Sequence, residues 1–556
     1  MNNYKLIFQL GKAEAKIIGY KLPDISQIIK FGIDKYTELV TNDVITRRWD
    51  KSTGTYRLIE EVPDHLKTPE LERVLLTRPV RVTKNKKGYF IPHLRATDAQ
   101  TVYRYKPIVK SSYLFSQAKQ DGKFVDLLIR QNNIKMLFWK DVLSFQRKPK
   151  DGSVIDDNFV EETKLFANTV NNNDSCYLSH EYDYRGRVYA NGILTYQGDE
   201  WCKAAISPCL GNDELTWRGM NELKYYLASH FGLDKIEYGD RIQAVNNGLC
   251  SDINRAKEPI LATKTLQMLQ RAKIGKHFDG TVSIDATNSG FQILAIATGD
   301  AELAKWTNLT DSSNVYDYYA FAASKLTNDM DEIKAIRPYL KKALMGVAYN
   351  SEALPREMGV KIAEILGKTK MFCISKEWDN AITISKPVTD LQAKLNGIIC
   401  RLGQKASLQA DKDKFIIRWT MPDGFKVEMP LKKTKSISML TKAFRGNFMF
   451  NALGWEKQKN YRGLVPNIIH SIDGYVCRQV IRNAAKRGIK VLSIHDCFVV
   501  HPSYASVVKR LYTIELKKLN RMNIIDYIIK QIDPSESYTK CGSFKMVNSA
   551  TSYALC

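Results

Sequence analysis

KVLSIHDCFVVHP, residues 490–502, decides how this chain reads. Val491, Leu492 and Ile494 form one apolar run, Phe498, Val499 and Val500 form another, and His495–Asp496 lies between them. Short runs rich in Val, Ile and Phe read as buried strands. Two such strands present Asp496 at the tight bend that joins them. A carboxylate there is costly to bury unless a cation or hydrogen-bond donors meet it. Asp496 is then either an ordinary hairpin residue or a carboxylate fixed on a rigid sheet to hold Mg²⁺. The partners that the rest of the chain supplies decide between the two.

The first partner is in TVSIDATNSGFQ, residues 281–292. Val282 and Ile284 alternate as on a half-buried strand, Asp285 ends it, and the small residues Ala286 to Gly290 follow. An Asp at a strand end beside a small-residue turn leaves room for a metal and a phosphate. Two Asp holding two Mg²⁺ is an arrangement used for nucleotidyl transfer. The second partner is RPYLKKALMGVAYNS, residues 337–351. Pro is welcome at the first helical position and disruptive further in, which predicts a helix starting at Pro338. Arg337, Lys341, Met345 and Tyr349 recur every four residues and share one face. That start places the two cations at the positive helix end, suited to a triphosphate, with Met345 and Tyr349 near the base. An amphipathic surface helix would show the same spacing.

EYDYRGRVYANG, residues 181–192, crowds Asp183, Arg185, Gly186 and Arg187 between aromatic residues. Gly186 would let the backbone approach a phosphate that both guanidinia reach; a charged surface turn is the plain alternative. VPNIIHSIDGYVCRQVIRNAAKRG, residues 465–488, reads as a helix opened by Pro466 and stopped near Gly488, with His470 and Asp473 one turn apart. The stretch from Thr101 to Val170 reads as mainly helical, with DLLIRQNNIKMLFWKDVLSF (126–145) its clearest amphipathic part and Met136 and Trp139 as core. Residues 147–157 read as a loop, KNKKG (84–88) as an exposed turn, WTMPDGFK (419–426) as strand then turn, and 431–463 as a basic strand–loop–strand element. The apolar last residues read as a tail tucked against the body.

Composition narrows the function. Among 556 residues, 83 Lys and Arg stand against 59 Asp and Glu, a formal charge of +24, which suits a polyanion partner, nucleic acid before membrane. There is no apolar run near the length a spanning helix needs. The N-terminal stretch has neither a secretory pattern nor an Arg before Arg47. The ten Cys form no CxxC pair and no zinc-like spacing with the eight His, and read as reduced thiols.

Taken in order, DYRGR, D-x4-G, R-x3-K-x7-Y, H-x2-D and HD resemble the single-subunit DNA-directed RNA polymerases of phage and mitochondrial type, over about residues 180 to 505. The resemblance implies an α+β right-hand polymerase fold, mostly helical around a small antiparallel palm sheet. It implies a reduced N-terminal region at 1–90, a thumb-like helical segment at 91–180 and the first part of the palm at 181–300. Fingers follow at 301–465, with a promoter-reading hairpin at 431–461, and the second part of the palm with the C-terminus at 466–556. It also implies two Mg²⁺ on Asp285 and Asp496, the triphosphate on Arg337 and Lys341, and Tyr349 selecting the nucleotide. His470 helps sense the ribose 2′-hydroxyl, Arg187 contacts the hybrid, and Arg185 and Lys203 join it as nucleic-acid contacts. The implied partners are a DNA template, an RNA product and NTPs, with no membrane, in the cytoplasm of an infected bacterial host rather than a mitochondrion. The N-terminal region is short for the family, so a separate protein is expected to help open promoters.

Three departures stand out. The Gly that usually follows the tyrosine is Asn350, which bears on the bend after the helix; the Ser after the HD pair is Cys497; and only 182 residues precede DYRGR. The nearest rival is a family-A-like DNA polymerase, which resembles this pattern but carries Glu where Cys497 and Gly290 stand. An open space at Gly290 is expected to admit the ribose 2′-hydroxyl. A non-catalytic nucleic-acid-binding relative is the other rival, and retention of both Asp and both cations argues against it.

Overall fold

A computed structural model describes residues 120–149, 157–191, 195–310, 314–407, 416–430, 463–547 and 553–556, with scattered residues and backbone pairings elsewhere. The described chain is α+β and mostly helical, with several small antiparallel sheets. Helix α1 (Gly122–Asn132) ends at Asn133. The next residues form strand β1 (Lys135–Phe138), followed by α2 (Asp157–Asn172) and β2 (Ser175–Tyr177). The predicted helix over 126–145 is therefore broken at its middle. Met136 pairs with Cys176 on one side and with Pro208 of β5 (Ile206–Pro208) on the other, and its side chain is fully buried. Pairing between residues distant in sequence overrides the local helical spacing.

A hairpin of β3 (Ser179–Tyr182) and β4 (Val188–Asn191) carries DYRGR in its turn, and α3 (Glu200–Ala205) leads into β5. Helices α4 (Trp217–His230), α5 (Tyr238–Asn246) and α6 (Pro259–Arg271) lead to β6 (Val282–Asp285) and α7 (Ser289–Thr298). Helix α7 is apolar nearly all round, and Phe291 to Thr298 are all buried, as that pattern requires.

The short helix α8 (Tyr318–Ala323) precedes α9 (Met330–Ala348). Helix α9 starts at Met330, not at Pro338. Asp329 caps it by accepting the amides of Asp331 and Glu332 at 2.8 and 3.1 Å, and Pro338 lies inside the helix. A good cap plus apolar burial of Ile333, Ile336 and Leu340 outweighs a mid-helix Pro. The end of α9 keeps its bend despite Asn350. Asn350 takes φ +61°, a left-handed conformation that Asn tolerates. Its amide bonds to Val347 and that of Ser351 to Gly346, the two bonds of a Schellman cap.

Helices α10 (Ala353–Ile365) and α11 (Lys386–Ser407) follow, then strands β7 (Ile416–Thr420) and β8 (Lys426–Pro430) around the turn at Asp423. Strands β9 (Lys433–Thr441) and β10 (Gly446–Gly454) pair antiparallel, so the expected hairpin exists as backbone pairing. Residues 431–432, 442–445 and 455–462 lie outside the described residues, as does most of 1–119, including the turn after Lys84. The expectation that this hairpin reads promoter bases rests on side chains outside the described residues. Helix α12 (Leu464–Ala485) places Pro466 in its first turn, and β11 (Leu492–Ile494) and β12 (Cys497–Val500) then flank His495–Asp496 as the sequence predicts. The last helices are α13 (Ala505–Arg521) and α14 (Ile524–Ile532).

Strand β12 is the middle strand of a three-stranded sheet, with β6 and β11 at its edges. The tail extends it, because Ala286 pairs with Leu555 and the Asp285 amide donates to the Cys556 carbonyl at 2.6 Å. Ala554 and Leu555 are buried, in keeping with the expected tuck. The main core packs α7, α9, α12 and α13 behind this sheet. Among the described residues no helix is long and apolar enough to cross a membrane, and all ten cysteines are free.

Candidate active site

Register brings the two carboxylates together. Strand β6 runs antiparallel to β12, and Asp285 at its end lies opposite Cys497, the residue after Asp496. The bend holds His495 at φ +59°, and the Tyr189 ring packs edge-on against its imidazole, centroids 4.7 Å apart. Asp285 is exposed at the cleft, yet the protein crowded around its carboxyl, then repulsion from Asp496, push it up to about 7. Lys235, Lys341 and Lys203 pull the other way. A second negative charge in this spot is unfavourable until a cation shares it.

The pair faces a cleft of about 660 Å³. Its walls contain Arg187, Lys203, Gly290, Arg337, Lys341, Met345, Tyr349 and His470 as well as both aspartates. Asp183, Arg185, Gly186 and Asp473, also singled out in the sequence, are not in its wall; Arg185 contacts His470 instead. Lys235 and Lys257 also line the cleft and were missed. Lys235 lies in the turn between α4 and α5, paired with Asp234 at 2.9 Å, and no local sequence pattern marks it.

Helix α9 supplies one wall. Arg337 Nε donates to Asp317 Oδ2 at 2.7 Å, and the Arg337 and Lys341 cations each lie 5.7 Å from the centre of the Tyr319 ring. Because the helix starts at Met330, these cations lie about two turns or more from its positive end, where the dipole has faded. Their own charges, not the macrodipole, make this wall attractive to phosphate. Tyr349 closes the helix, and burial pushes its phenol up to about 12, so it remains a hydroxyl. Gly290 is not beneath open space: a β-carbon built there would lie 2.5 Å from the Tyr349 hydroxyl oxygen. Tyr349 already fills the room that the missing side chain leaves.

The DYRGR turn serves the opposite wall. Asp183 accepts the amides of Arg185 and Arg187 at 2.9 and 3.0 Å, which closes the turn. Gly186, at φ +91°, faces α12 rather than the cleft: its carbonyl accepts from Arg478 Nη1 at 2.6 Å, and a β-carbon on Gly474 would meet it at 2.9 Å. The glycine is needed for close docking of turn on helix, not for approach to a phosphate. Arg187 bonds Asp473 through Nε and Nη2, both at 2.8 Å. Burial opposes its charge, but Asp473 and Asp496 outweigh that and hold it protonated. Arg185 bonds Asp183 and His470, so both guanidinia of the turn are engaged in the protein. Burial, with Arg187 and Arg185 adding to it, holds His470 down to about 2, and the imidazole is neutral. Its ring meets Tyr349 edge-on at 5.2 Å.

No group of three or more His, Cys, Asp or Glu among the described residues could hold a metal ion by itself. Two carboxylates at adjoining strand ends fit Mg²⁺ nonetheless, because that ion is held through one or two carboxylates and completes its shell with water and substrate phosphate.

Residues 331–553 match the family model described as DNA-dependent RNA polymerase. The chain is 24% identical over 459 residues to a probable DNA-directed RNA polymerase of Neurospora crassa, covering 71% of this chain and 48% of that one. It is 23% identical to the DNA-directed RNA polymerase of Enterobacteria phage T3 and 22% identical to T7 RNA polymerase of Escherichia phage T7, each over 61% of this chain and 47% of the relative. The chain thus spans about half the length of the curated relatives it matches, and its sequence is similar to the phage- and mitochondrial-type single-subunit polymerases.

Proposed function

We propose that this chain is a DNA-directed RNA polymerase that adds ribonucleotides to an RNA 3′ end on a DNA template. One observation carries the reading: Asp285 and Asp496, from adjoining strand ends, share a single cleft with the Arg337–Lys341–Tyr349 face of α9. When bound at Asp285 and Asp496, two Mg²⁺ would supply charge neutralisation and a more acidic attacking hydroxyl. Arg337 and Lys341 hold the triphosphate and stabilise the charge that builds on the leaving pyrophosphate. Tyr349, seated over Gly290, and His470 meet the sugar. A site that hydrogen-bonds a hydroxyl rejects an analogue that lacks it. A DNA polymerase of family-A type is disfavoured by Tyr349 occupying the space at Gly290 where a bulky Glu would stand.

In this reading β6, β11 and β12 are the palm sheet, 301–465 the fingers and 91–180 the thumb. Lys203 and Arg187 face nucleic acid, and the setting is the cytoplasm of an infected bacterial host. Opening a duplex costs roughly 1.4 kcal/mol per base-pair step, and a second protein is proposed to supply it. Extension of a labelled RNA primer on single-stranded DNA, with NTPs or dNTPs and with or without EDTA, tests the function. Mg²⁺-dependent extension with NTPs over dNTPs is expected; extension with dNTPs alone, or none, overturns it. Comparing linear duplex with the same duplex carrying a mismatched bubble tests the need for a partner: equal yield from both removes it.

A further inference from the structure

The DYRGR turn contains a contact that phosphate binding does not explain. Arg185 Nη1 lies 2.7 Å from His470 Nδ1, a contact that bridges the turn and helix α12. The same guanidinium is held from the other side by Asp183, with Nε and Nη2 on Oδ2 at 2.8 and 2.7 Å. It also lies over the Tyr184 ring, 5.2 Å from its centre. Tyr184 is in turn anchored to Asn467 of α12 at 2.6 Å. Nε, Nη1 and Nη2 are thus each engaged within the protein, which leaves this side chain poorly placed to serve as a phosphate clamp.

A guanidinium can only donate hydrogen bonds, and a neutral imidazole has one donor and one acceptor nitrogen. The nitrogen that faces Arg185 must therefore present its lone pair. The proton of His470 is then on Nε2, and a second proton on Nδ1 would face the guanidinium directly. Nε2 has no hydrogen-bond partner among the described residues, while His470 lines the cleft beside Tyr349. We propose that Arg185 is a positioning residue that locks His470 as a neutral Nε2–H donor for the 2′-oxygen of the incoming ribonucleotide. This sets sugar selectivity from outside the cleft. The inference rests on the polymerase reading for its substrate, but the tautomer does not.

Two measurements separate those claims. Nitrogen-15 NMR of histidine-labelled full-length protein, with His470 assigned by its loss in His470→Ala, reads the tautomer directly. An unprotonated Nδ1 and a protonated Nε2 are expected in the wild type, and a protonated Nδ1 overturns the proposal whatever the chain's activity. Primer extension then compares kcat/KM for NTP and for dNTP in wild type, Arg185→Met, His470→Ala and the double variant. Arg185→Met is expected to lower the NTP preference ~10-fold or more, toward His470→Ala, with the double variant no worse than His470→Ala alone. Wild-type preference in a folded Arg185→Met, or losses that add in the double variant, overturn the link between the two residues. If Arg185 contacts nucleic acid instead, Arg185→Met weakens template binding in a salt-dependent way and leaves the sugar preference intact. An unproductive wild type with the expected tautomer would reject the polymerase reading and, with it, only the selectivity half of this one.

Discussion

The Tyr349 hydroxyl sits 2.5 Å from where a β-carbon on Gly290 would be. Gly290 lies in the first turn of α7 with an ordinary φ, so Ala there gains up to about 1 kcal/mol of helix propensity while it collides with the phenol. Gly290→Ala is expected to melt near the wild-type temperature yet lose much of its preference for NTPs over dNTPs. Tyr349→Phe removes the hydroxyl and little volume. Loss of a hydrogen bond to the sugar of about 1–3 kcal/mol would lower selectivity about 5- to 160-fold. Competition between NTP and dNTP in primer extension reads both. Full selectivity in Tyr349→Phe would make Tyr349 a stacking residue only.

Asp317 has two separable duties. Oδ1 caps α8 by accepting the amides of Tyr319 and Ala320, and Oδ2 binds Arg337 Nε. Asn is as good a cap as Asp but cannot form the ion pair. Asp317→Asn should therefore leave stability nearly unchanged and loosen Arg337, raising the KM for NTP by about threefold or more, which is some 0.7 kcal/mol. Lys341→Ala is expected to cost more, because its cation faces the cleft without an ion-pair partner among the described residues. Steady-state kinetics with melting curves on the same samples checks both.

Arg478 is fully buried and joins three parts of the molecule. It bonds Asp423 in the β7–β8 turn through Nε and Nη2 at 2.8 and 3.1 Å, and the Gly186 carbonyl through Nη1. Removing one partner of a buried pair strands the other charge, at about 3–5 kcal/mol. Arg478→Met should lower the unfolding free energy read from urea titration by that much, and adding Asp423→Leu should restore part of it. A loss below ~1 kcal/mol would show that the pair does not hold the DYRGR turn on α12.

What was legible in the sequence is what local pattern controls. The two strands around Asp496, the strand ending at Asp285 and the shared face of Arg337, Lys341, Met345 and Tyr349 follow from period and spacing. Pro338 signals a helix start locally, but the Asp329 cap, an Asp followed by Asp331 and Glu332, is the stronger signal and sets the true start of α9. Strand β1 was missed because KMLF fits either period, and only its partners Cys176 and Pro208 decide. Lys235 and the pairing of Cys556 with Asp285 depend on contacts hundreds of residues apart and leave no local trace.

The raised pKa of Asp285 gives the carboxylate pair a pH signature. Its folded-state pKa lies above the unfolded value, so protonation favours the fold. That contribution is complete below the ordinary carboxylate pKa and is lost as pH rises toward neutrality. Without divalent ions the protein should therefore lose stability at this site between acid and neutral pH. Mg²⁺ binds the ionised pair, so its stabilisation should run the other way: absent in acid and growing toward neutral pH, to about 1.4 kcal/mol at ten times Kd. Asp285→Asn should abolish this Mg²⁺ effect, and Asp496→Asn should shrink both it and the ion-free pH dependence, since Asp496 is the charge that repels Asp285. Each variant should also lose nucleotide addition ~100-fold or more, about 2.7 kcal/mol of barrier. Template affinity, which rests on many spread cations, should stay close to wild type. Melting temperatures across pH with and without Mg²⁺, beside primer extension, read all three effects. A Mg²⁺ shift that survives in Asp285→Asn would place the ion elsewhere, and extension above a few per cent in either variant would remove that aspartate from the metal site.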